Sequence, residues 1–279
     1  MKKKGFIDLY LSEWHANNYP AWIDEQSKKL GLDYKVAYAW AEQDISPRDG
    51  VTTDQWCEKN GVIRCNTLEE VCEKSDVIII LAPSNPETHL GYAEKVLSYG
   101  KRTYIDKTFA QNEKDAKAIF ELGEKYGTPF FSTSALRYAD GLSDLAGSDS
   151  IIVTGGGSNL PEYFVHIAEI AVKIMGLNSF SVTAYPNGTQ TVFRVTYKDG
   201  RDATLIYGKS MPYTVYYAKG EKEQLLTLGG NFFNGLIADI LTFFETGKTS
   251  FSQKETLEVI RLRDAALHAL IDPEIELIF

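Results

Sequence analysis

Cysteine and long apolar runs are both scarce in this sequence of 279 residues. Its three cysteines, Cys57, Cys65 and Cys72, show no C-x-x-C spacing, which argues against a disulfide framework and a zinc knuckle. The longest unbroken apolar stretch, 77–82, is far shorter than the roughly 20 residues that a bilayer span requires. The amino terminus also lacks the small-residue cleavage site of a signal peptide. We therefore expect a cytoplasmic protein with reduced thiols and no membrane partner.

Basic side chains are outnumbered, since 29 Lys and Arg stand against 38 Asp and Glu, a net charge of −9. Such a field repels polyanions at long range. The basic clusters at 2–4, 28–29 and 261/263 are too short and scattered to follow a phosphate backbone. We therefore expect a small-molecule partner and no nucleic acid.

The first half of the chain alternates short β-rich runs with helical stretches, the pattern of a parallel sheet covered by helices. Recognisable signals bound these helices, among them Pro20 in a first turn, Gly31 at a stop and a capping box from Thr67 to Glu70. We predict a Rossmann-type, doubly wound α/β domain over residues 1–135. Its six predicted strands are 6–11, 34–41, 62–65, 77–82, 103–106 and 129–132.

From about residue 148 onward the pattern changes to strands joined by tight polar turns such as Asn187-Gly188. We predict an α+β domain over residues 136–279, in which helices flank a largely antiparallel open sheet. One helix precedes the strands and two follow them, at about 232–245 and 253–270. The predicted strands are 179–185, 190–197, 203–207, 213–219 and 224–228.

Polar side chains follow two predicted strands of the parallel sheet, at the edge where such sheets bind ligands. Pro83, Asn85 and His89 lie between the fourth strand and its helix, and Asp106 and Lys107 come at the end of the fifth strand. Lys107 has two interpretations. Its ammonium can donate to a substrate oxygen that changes charge, or it can be a surface lysine paired with Asp106.

A second group of polar residues lies on one helix face, because Glu162, His166 and Glu169 are four and three residues apart. The Glu162 carboxylate can hold the His166 imidazole while the other ring nitrogen faces a substrate, as in a general base with its orienting group. A buried structural histidine is the alternative. A metal site is disfavoured, since no second histidine follows at helical spacing, so we predict no metal. The glycines at 155–157 form either an anion-binding nest or a sharp turn into this helix.

Four segments in this order resemble the Gfo/Idh/MocA family, which includes glucose-fructose oxidoreductase and inositol dehydrogenase. They are 76–82 (DVIIILA), 86–89 (PETH), 100–107 (GKRTYIDK) and the helix of Glu162, His166 and Glu169. The closing helices from 236 and from 252 resemble those of the family as well. The resemblance implies NAD or NADP as cofactor, with polar groups around the sugar carbon that exchanges hydride. It assigns the catalytic roles to Lys107, His166 and Glu162.

The turn after the first strand, 11–17, has no glycine, whereas the family has a Gly-rich phosphate cradle there. Glu13 in this turn would oppose a diphosphate, and His15, if protonated, would offset part of the repulsion. Glu42 or Asp44, after the second strand, can take the ribose hydroxyls, which favours NAD over NADP. Thr108 and Glu162 replace the proline and the aspartate of the family's motifs. The side chains expected at the cofactor are Ser12, Glu13, His15, Glu42, Pro83, Asn85, His89 and Asp106.

The leading hypothesis is an NAD(P)-dependent oxidoreductase that moves hydride between the cofactor and a hydroxyl-bearing carbon of a sugar or polyol-like substrate. A non-redox protein that binds a sugar derivative, or a regulatory protein, is a second hypothesis, because the first turn lacks glycine. A third is a lyase that uses Lys107 and His166 for proton abstraction. The resemblance also predicts a homo-oligomer through the second-domain sheet. The tyrosines that either form this interface or pack on helices are Tyr197, Tyr207, Tyr213, Tyr216 and Tyr217.

Overall fold

The computed structural model describes residues 2–272 and the backbone of 277–278. None of the described helices is both long and apolar enough to cross a membrane. The strands, in chain order, are β1 (Lys2–Asp8), β2 (Tyr34–Ala41), β3 (Ile63–Arg64), β4 (Val77–Ile80), β5 (Thr103–Ile105), β6 (Phe130–Phe131), β7 (Ser150–Gly155), β8 (Ser179–Asn187), β9 (Gln190–Tyr197), β10 (Asp202–Gly208), β11 (Thr214–Lys219), β12 (Lys222–Thr227) and β13 (Leu277–Ile278). The α-helices are α1 (Trp14–Lys29), α2 (Thr53–Asn60), α3 (Leu68–Lys74), α4 (His89–Val96), α5 (Glu113–Tyr126), α6 (Leu160–Met175), α7 (Phe232–Thr246) and α8 (Gln253–Ile271).

The chain forms two compact units, and the first boundary between them lies between residues 132 and 133. The segment Leu236–Ser250, which carries most of α7, belongs to the first unit, although the sequence prediction counted it with the second domain. The Arg102 guanidinium holds this segment by donating to the Phe244 carbonyl at 2.5 Å. No local pattern indicates this return, because the two residues are 142 positions apart in the chain.

The first unit is built on a parallel sheet in the order β3-β2-β1-β4-β5-β6, which confirms the predicted doubly wound fold. All four residues of β4 are buried, as a strand covered on both faces requires. β2 has the predicted bounds, whereas β4 and β5 end before their predicted limits. The chain proceeds to opposite sides of the sheet from β1 and from β4, so the carboxyl ends of these two strands form its switch point.

Helix α1 begins at Trp14, so Pro20 lies inside the helix and the prediction that it stands in a first turn is wrong. The start is fixed by Glu13, whose side chain caps the helix by accepting from two backbone N–H groups. Glutamate is not among the preferred N-cap residues. The sequence pattern therefore favoured the later proline as the start signal.

Helix α2 is absent from the sequence prediction, although its start signal is present. Thr52 and Gln55 form a reciprocal capping box, in which each side chain accepts the backbone N–H of the other residue. At the capping box predicted from Thr67 to Glu70, only one of the two reciprocal hydrogen bonds forms. Thr67 caps α3 by accepting from the Glu70 N–H, while the Glu70 carboxylate accepts from the Asn66 N–H.

Among the described residues, the second unit holds a sheet in the order β12-β11-β7-β10-β9-β8-β13. Its pairings are antiparallel except that β7 and β10 are parallel, so the predicted, largely antiparallel sheet is confirmed. β7 is absent from the prediction, because its run leads directly into glycines, as a connector does. Helices α6 and α8 pack against this sheet, and their apolar residues form one core with its buried side chains.

The tyrosines of this sheet divide between its two faces. Tyr216 on β11 is 40% exposed, whereas its neighbour Tyr217 points to the opposite face and into the core, as alternation along a strand requires. Tyr213 is partly buried and packs against the same core. Three of the five tyrosines lie in this core: Tyr197, Tyr207 and Tyr217. They pack against the helices, as the alternative predicted, and the prediction that they form an interface is wrong.

Candidate functional site

The carboxyl ends of β1 and β4 enclose a small recess at the switch point of the first sheet. In open α/β sheets the ligand binds in this crevice. The structure brings the predicted Glu13, Pro83 and Asn85 together here, and it adds Arg48, which no sequence pattern indicates. The full lining consists of Asp8, Tyr10, Glu13, Arg48, Ala82, Pro83, Ser84 and Asn85.

Glu13 closes the amino-terminal end of α1. One carboxylate oxygen accepts the backbone N–H of His15 at 2.8 Å, and the other accepts that of Ala16. Only 3% of the residue is exposed. Burial raises the pKa of Glu13, and the neighbouring His15 and the two N–H groups offset part of this rise. A carboxylate of the chain itself thus occupies the helix end at which an external anion could bind.

Two further carboxylates are buried near Glu13. Asp8 ends β1 and accepts two backbone N–H groups, and burial together with the charge of Glu13 raises its pKa well above the usual range. Asp106 contacts His15, with 2.5 Å between Oδ2 and Nδ1. Burial alone would raise the pKa of Asp106, but His15 and Lys107 lower it. In the part of the chain that is described, no group of three or more His, Cys, Asp and Glu side chains is arranged to hold a metal ion.

Lys107 follows β5 on the same rim of the sheet. Its ammonium donates to the Pro83 carbonyl at 3.1 Å, and its backbone N–H donates to the Asp106 carboxylate at 2.8 Å. The residue is buried, so the alternative of a surface lysine is wrong. Pro83, Asp106 and Lys107 therefore form one connected group, with an ammonium at the edge where such sheets bind their ligands.

Ser12 and Asn85 hold the loops around the recess. The Ser12 hydroxyl donates to the Asp49 carboxylate at 2.7 Å, which connects the turn after β1 to the loop after β2. The Asn85 amide donates to the Glu87 carboxylate at 2.9 Å. Of these two predicted residues, Asn85 lines the recess, whereas Ser12 lies in the turn next to the lining residue Glu13.

His89 and Glu42 differ in what they can offer to a cofactor. The His89 ring is fully buried, and its nitrogens contact the carbonyl oxygens of Phe109 at 3.0 Å and Leu81 at 2.6 Å. Burial also lowers the pKa of His89. Its expected contact with a cofactor is therefore corrected to a structural role, in which it ties α4 to two neighbouring segments. Glu42 is exposed after β2 and accepts from the Tyr92 hydroxyl at 2.6 Å.

In the second unit, the partly buried His166 lies on α6 with its Nδ1 at 2.7 Å from the Ser134 hydroxyl. The ring of Tyr163 lies 5.6 Å away, measured between ring centres. Glu162 lies one turn earlier and accepts from the Asn159 amide at 3.0 Å, beside the cap of α6. The sequence offered no signal for Ser134, because it is 32 positions from His166 and shares no helix with it.

A buried ion-pair network holds the segment that carries Ser134. Glu169 accepts from the Arg137 guanidinium at 2.5 Å and from the Ser134 N–H at 3.3 Å. Arg137 also contacts Glu255 on α8 at 2.8 Å. Glu169, the third residue of the predicted helix face, therefore anchors the segment that orients His166.

The glycines before α6 allow the backbone to approach the end of β10 closely. A Cβ atom on Gly156 would lie 2.2 Å from the Gly208 carbonyl oxygen. The carbonyls of Gly156 and Gly157 accept from the hydroxyls of Tyr213 and Tyr207, at 2.6 and 2.9 Å. Close packing accounts for these glycines, which favours the tight-turn interpretation over the anion-binding nest.

A dinucleotide on a Rossmann-type sheet places its diphosphate at the amino-terminal end of the first helix, over a turn with the pattern G-x-G-x-x-G. Here the five residues from Leu9 to Glu13 stand between β1 and α1 and include no glycine. A diphosphate does not fit this turn while the Glu13 carboxylate holds the N–H groups of α1. The exposed Glu42 carboxylate, in contrast, suits the ribose hydroxyls of a nucleotide.

Solved structures share this fold over nearly the whole chain. UDP-N-acetylglucosamine 3-dehydrogenase GnnA from Acidithiobacillus ferrooxidans is 11% identical, with a TM-score of 0.76 over 97% of this chain and 96% of that one. GenD2 from gentamicin A biosynthesis, in complex with NAD, is 12% identical, with a TM-score of 0.77 over 100% and 97%. Biliverdin reductase from Synechocystis, in complex with biliverdin and NADP⁺, is 14% identical, with a TM-score of 0.69 over 96% and 98%.

No protein-family model and no curated protein matches the sequence. At identities of 11–14%, the likeness to these dehydrogenases and reductases is one of fold. The resemblance to dehydrogenases of the Gfo/Idh/MocA type is confirmed at this level, and it includes both the Rossmann-type sheet and the second, largely antiparallel sheet.

Proposed function

We propose that this chain is an NAD(P)-dependent oxidoreductase that moves hydride between the cofactor and a hydroxyl-bearing carbon of a sugar or polyol-like substrate. The observation that carries the proposal is the Lys107 ammonium, which the Pro83 carbonyl holds at the ligand-binding rim of the first sheet. The solved structures of this fold support it, because GnnA is named as a dehydrogenase of UDP-N-acetylglucosamine and GenD2 is in complex with NAD.

Lys107 and His166 carry the chemistry in this proposal. The Lys107 ammonium donates to the substrate oxygen and stabilises the negative charge that develops there. His166 takes the hydroxyl proton as a general base, while Ser134 fixes the ring at Nδ1. Glu162 lies one helical turn before His166 on the same helix, where the Asn159 amide holds its carboxylate, and it supports the ring in this proposal.

In this proposal Glu42 contacts the ribose of the cofactor, and Pro83 and Asn85 contact it from the recess. The buried pair of His15 and Asp106 supports this rim from within. A carboxylate at Glu42 suits the free 2′-hydroxyl of NAD and repels the 2′-phosphate of NADP. The proposal therefore favours NAD.

The first test is a titration of the purified protein with NADH and with NADPH, followed by tryptophan fluorescence and by thermal unfolding. Trp14 opens α1 and is exposed, so a ligand at this helix end should change its emission. The second test incubates the protein with NAD⁺ or NADP⁺ and a panel of polyols, sugars and nucleotide sugars, and measures the reduced cofactor. Saturable binding and substrate-dependent reduction support the proposal. Binding of neither dinucleotide contradicts it.

The Glu13 carboxylate on α1 favours a second candidate, a non-redox protein that binds a sugar derivative. Such a protein would have no use for the N–H groups that receive a diphosphate. It should bind a nucleotide sugar or a free sugar saturably in the same titration, without binding either dinucleotide and without producing reduced cofactor.

We also propose a homo-oligomer through the open face of the second sheet. Leu225, Tyr216 and Ile152 lie side by side on three adjacent strands of this face. All three are exposed, and together they form an apolar row. Contiguous exposed apolar side chains of this kind are typical of interaction surfaces.

A further inference from the structure

The Glu13 carboxylate and a cofactor diphosphate require the same two N–H groups. One Glu13 oxygen accepts the His15 N–H at 2.8 Å and the other accepts the Ala16 N–H. A diphosphate at a helix amino terminus uses such groups. We infer that Glu13 is a built-in competitor, so that a dinucleotide binds the first unit only when this carboxylate leaves the helix end or is neutralised. The inference rests on the proposed function for the kind of ligand.

The surroundings of Glu13 strengthen this competition, because they are acidic on two sides. Asp8 faces it from the end of β1, and Asp106 faces it from the end of β5. The basic groups nearby are His15 on α1, Arg48 in the loop after β2 and Lys107 beside Asp106. A diphosphate would add its charge to this group of buried acidic side chains, so removal of the Glu13 carboxylate should improve its binding.

Glu13 can be replaced without removing the cap of α1. Its backbone is extended, with φ of −129° and ψ of 173°, a conformation that serine adopts readily at an N-cap. Glu13→Ser therefore removes the charge and much of the bulk while it keeps a capping oxygen. Glu13→Gln removes the charge alone. Glu25→Gln, which breaks an exposed pair with Lys29 on the same helix, is the matched control.

The affinity for a diphosphate should depend on pH, in a direction that follows from the pKa of Glu13. Burial raises the pKa of Glu13, so its carboxylate takes up a proton at a higher pH than an exposed glutamate does. The affinity of the wild type for a diphosphate should therefore rise as the pH falls toward that pKa, because the neutral carboxyl no longer repels the ligand. Glu13→Ser should lack this part of the pH dependence.

The experiment measures the binding of ADP-ribose, NADH and NADPH to the wild type and the three variants by isothermal titration calorimetry at several pH values. ADP-ribose carries the diphosphate without the nicotinamide. At neutral pH we expect Glu13→Ser to bind ADP-ribose roughly tenfold more tightly than the wild type, or better. Glu13→Gln should lie between the two, and Glu25→Gln should match the wild type.

The outcomes separate this inference from the proposed function. Equal affinity of the wild type and Glu13→Ser for ADP-ribose at every pH overturns the inference, and the function stands if NADH or NADPH binds. If Glu13→Ser gains affinity for ADP-ribose but neither dinucleotide binds, the inference holds and the proposed cofactor is wrong. If no protein binds any of the three ligands, both fail.

Discussion

Burial and charge conflict at Lys4, in the middle of β1. The side chain is fully buried, its Nζ lies 3.8 Å from the centre of the Tyr34 ring, and it has no hydrogen-bond partner among the described residues. Burial lowers the pKa of Lys4 from 10.5 to about 6, although Glu245 raises it in part. The amine is therefore mostly neutral at pH 7 in the folded protein and becomes charged when the chain unfolds.

Replacement of Lys4 by Met should stabilise the protein at pH 7 by about 1–4 kcal/mol, because an apolar side chain loses no charge on burial. Between pH 10.5 and about 6 the folded wild type binds fewer protons than the unfolded chain, so its stability falls as the pH is lowered through this range. The variant should lack this contribution. Urea unfolding at several pH values measures both effects, and a variant less stable than the wild type at pH 7 would contradict this account.

Ser134 acts on the reaction through His166, so its removal should change the behaviour of the imidazole more than the binding of substrate. We expect Ser134→Ala to lower kcat roughly tenfold or more, since the ring loses its contact at Nδ1. The pH profile of kcat should shift as well. Ser134→Thr restores a hydroxyl and should recover most of the rate. An unchanged pH profile for Ser134→Ala in steady-state kinetics would exclude this positioning role.

At the scale of elements, one arginine connects the short 3-10 helix Ala135–Tyr138 to two α-helices. Arg137 pairs with Glu169 on α6 and with Glu255 on α8, and Arg137 and Glu169 are both buried. Arg137→Met should lower the free energy of unfolding by about 3–5 kcal/mol, because it leaves Glu169 buried without its partner. Chemical denaturation measures this change.

The control for Arg137 is an exposed ion pair. Lys28 and Asp24 pair on α1 at 2.7 Å, and both side chains are largely exposed. Lys28→Met should therefore change the free energy of unfolding by less than about 1 kcal/mol. A cost for Arg137→Met as small as that for Lys28→Met would show that the buried network does not hold these elements together.

Elements with local signals could be predicted from the sequence. β2 and β9 have the predicted bounds, and α3 begins directly after its predicted cap at Thr67, because periodicity and capping act within a few residues. β7 could not be recognised, because its run leads directly into glycines and its partners are distant strands. The start of α1 was misplaced, because Glu13 is an uncommon cap.

In the candidate site, too, residues with a local sequence signal could be predicted and residues placed by tertiary contacts could not. Pro83, Asp106 and Lys107 could be placed together from the sequence, because the carboxyl ends of neighbouring parallel strands meet at one edge of a sheet. Ser134 and Arg48 could not, since each contacts its site from a segment with no periodic relation to the other residues. Tertiary contacts of this kind leave no local pattern.

At the scale of the whole molecule, each of the two units is built from two separate segments of the chain. Residues 1–135 were predicted as the first domain, but Leu236–Ser250 also belongs to the first unit. The second unit therefore comprises Thr133–Gly235 and the described residues from Phe251 onward. A truncation that ends at residue 135 should consequently lack part of the first unit's packing surface.

The proposed homo-oligomer depends on the apolar row of the second sheet. The double variant Ile152→Arg with Leu225→Arg should dissociate it, because burying two unpaired charges in an interface is costly. Light scattering coupled to size exclusion measures the mass of the assembly. Lys254→Glu, at an exposed position early in α8, is the control. A double variant with an unchanged oligomeric mass would rule out this face as the interface.

We propose above all that Lys107 and His166 serve one reaction. The most direct measurement is the turnover of Lys107→Met, His166→Ala and the double variant, with the substrate and cofactor identified by the panel. Each single variant should lose about 10²- to 10⁴-fold in turnover. The double variant should be no more than a few-fold slower than the slower single variant, because residues that act on one step are not additive. Losses that multiply in the double variant, or a single variant with wild-type turnover, would contradict the claim.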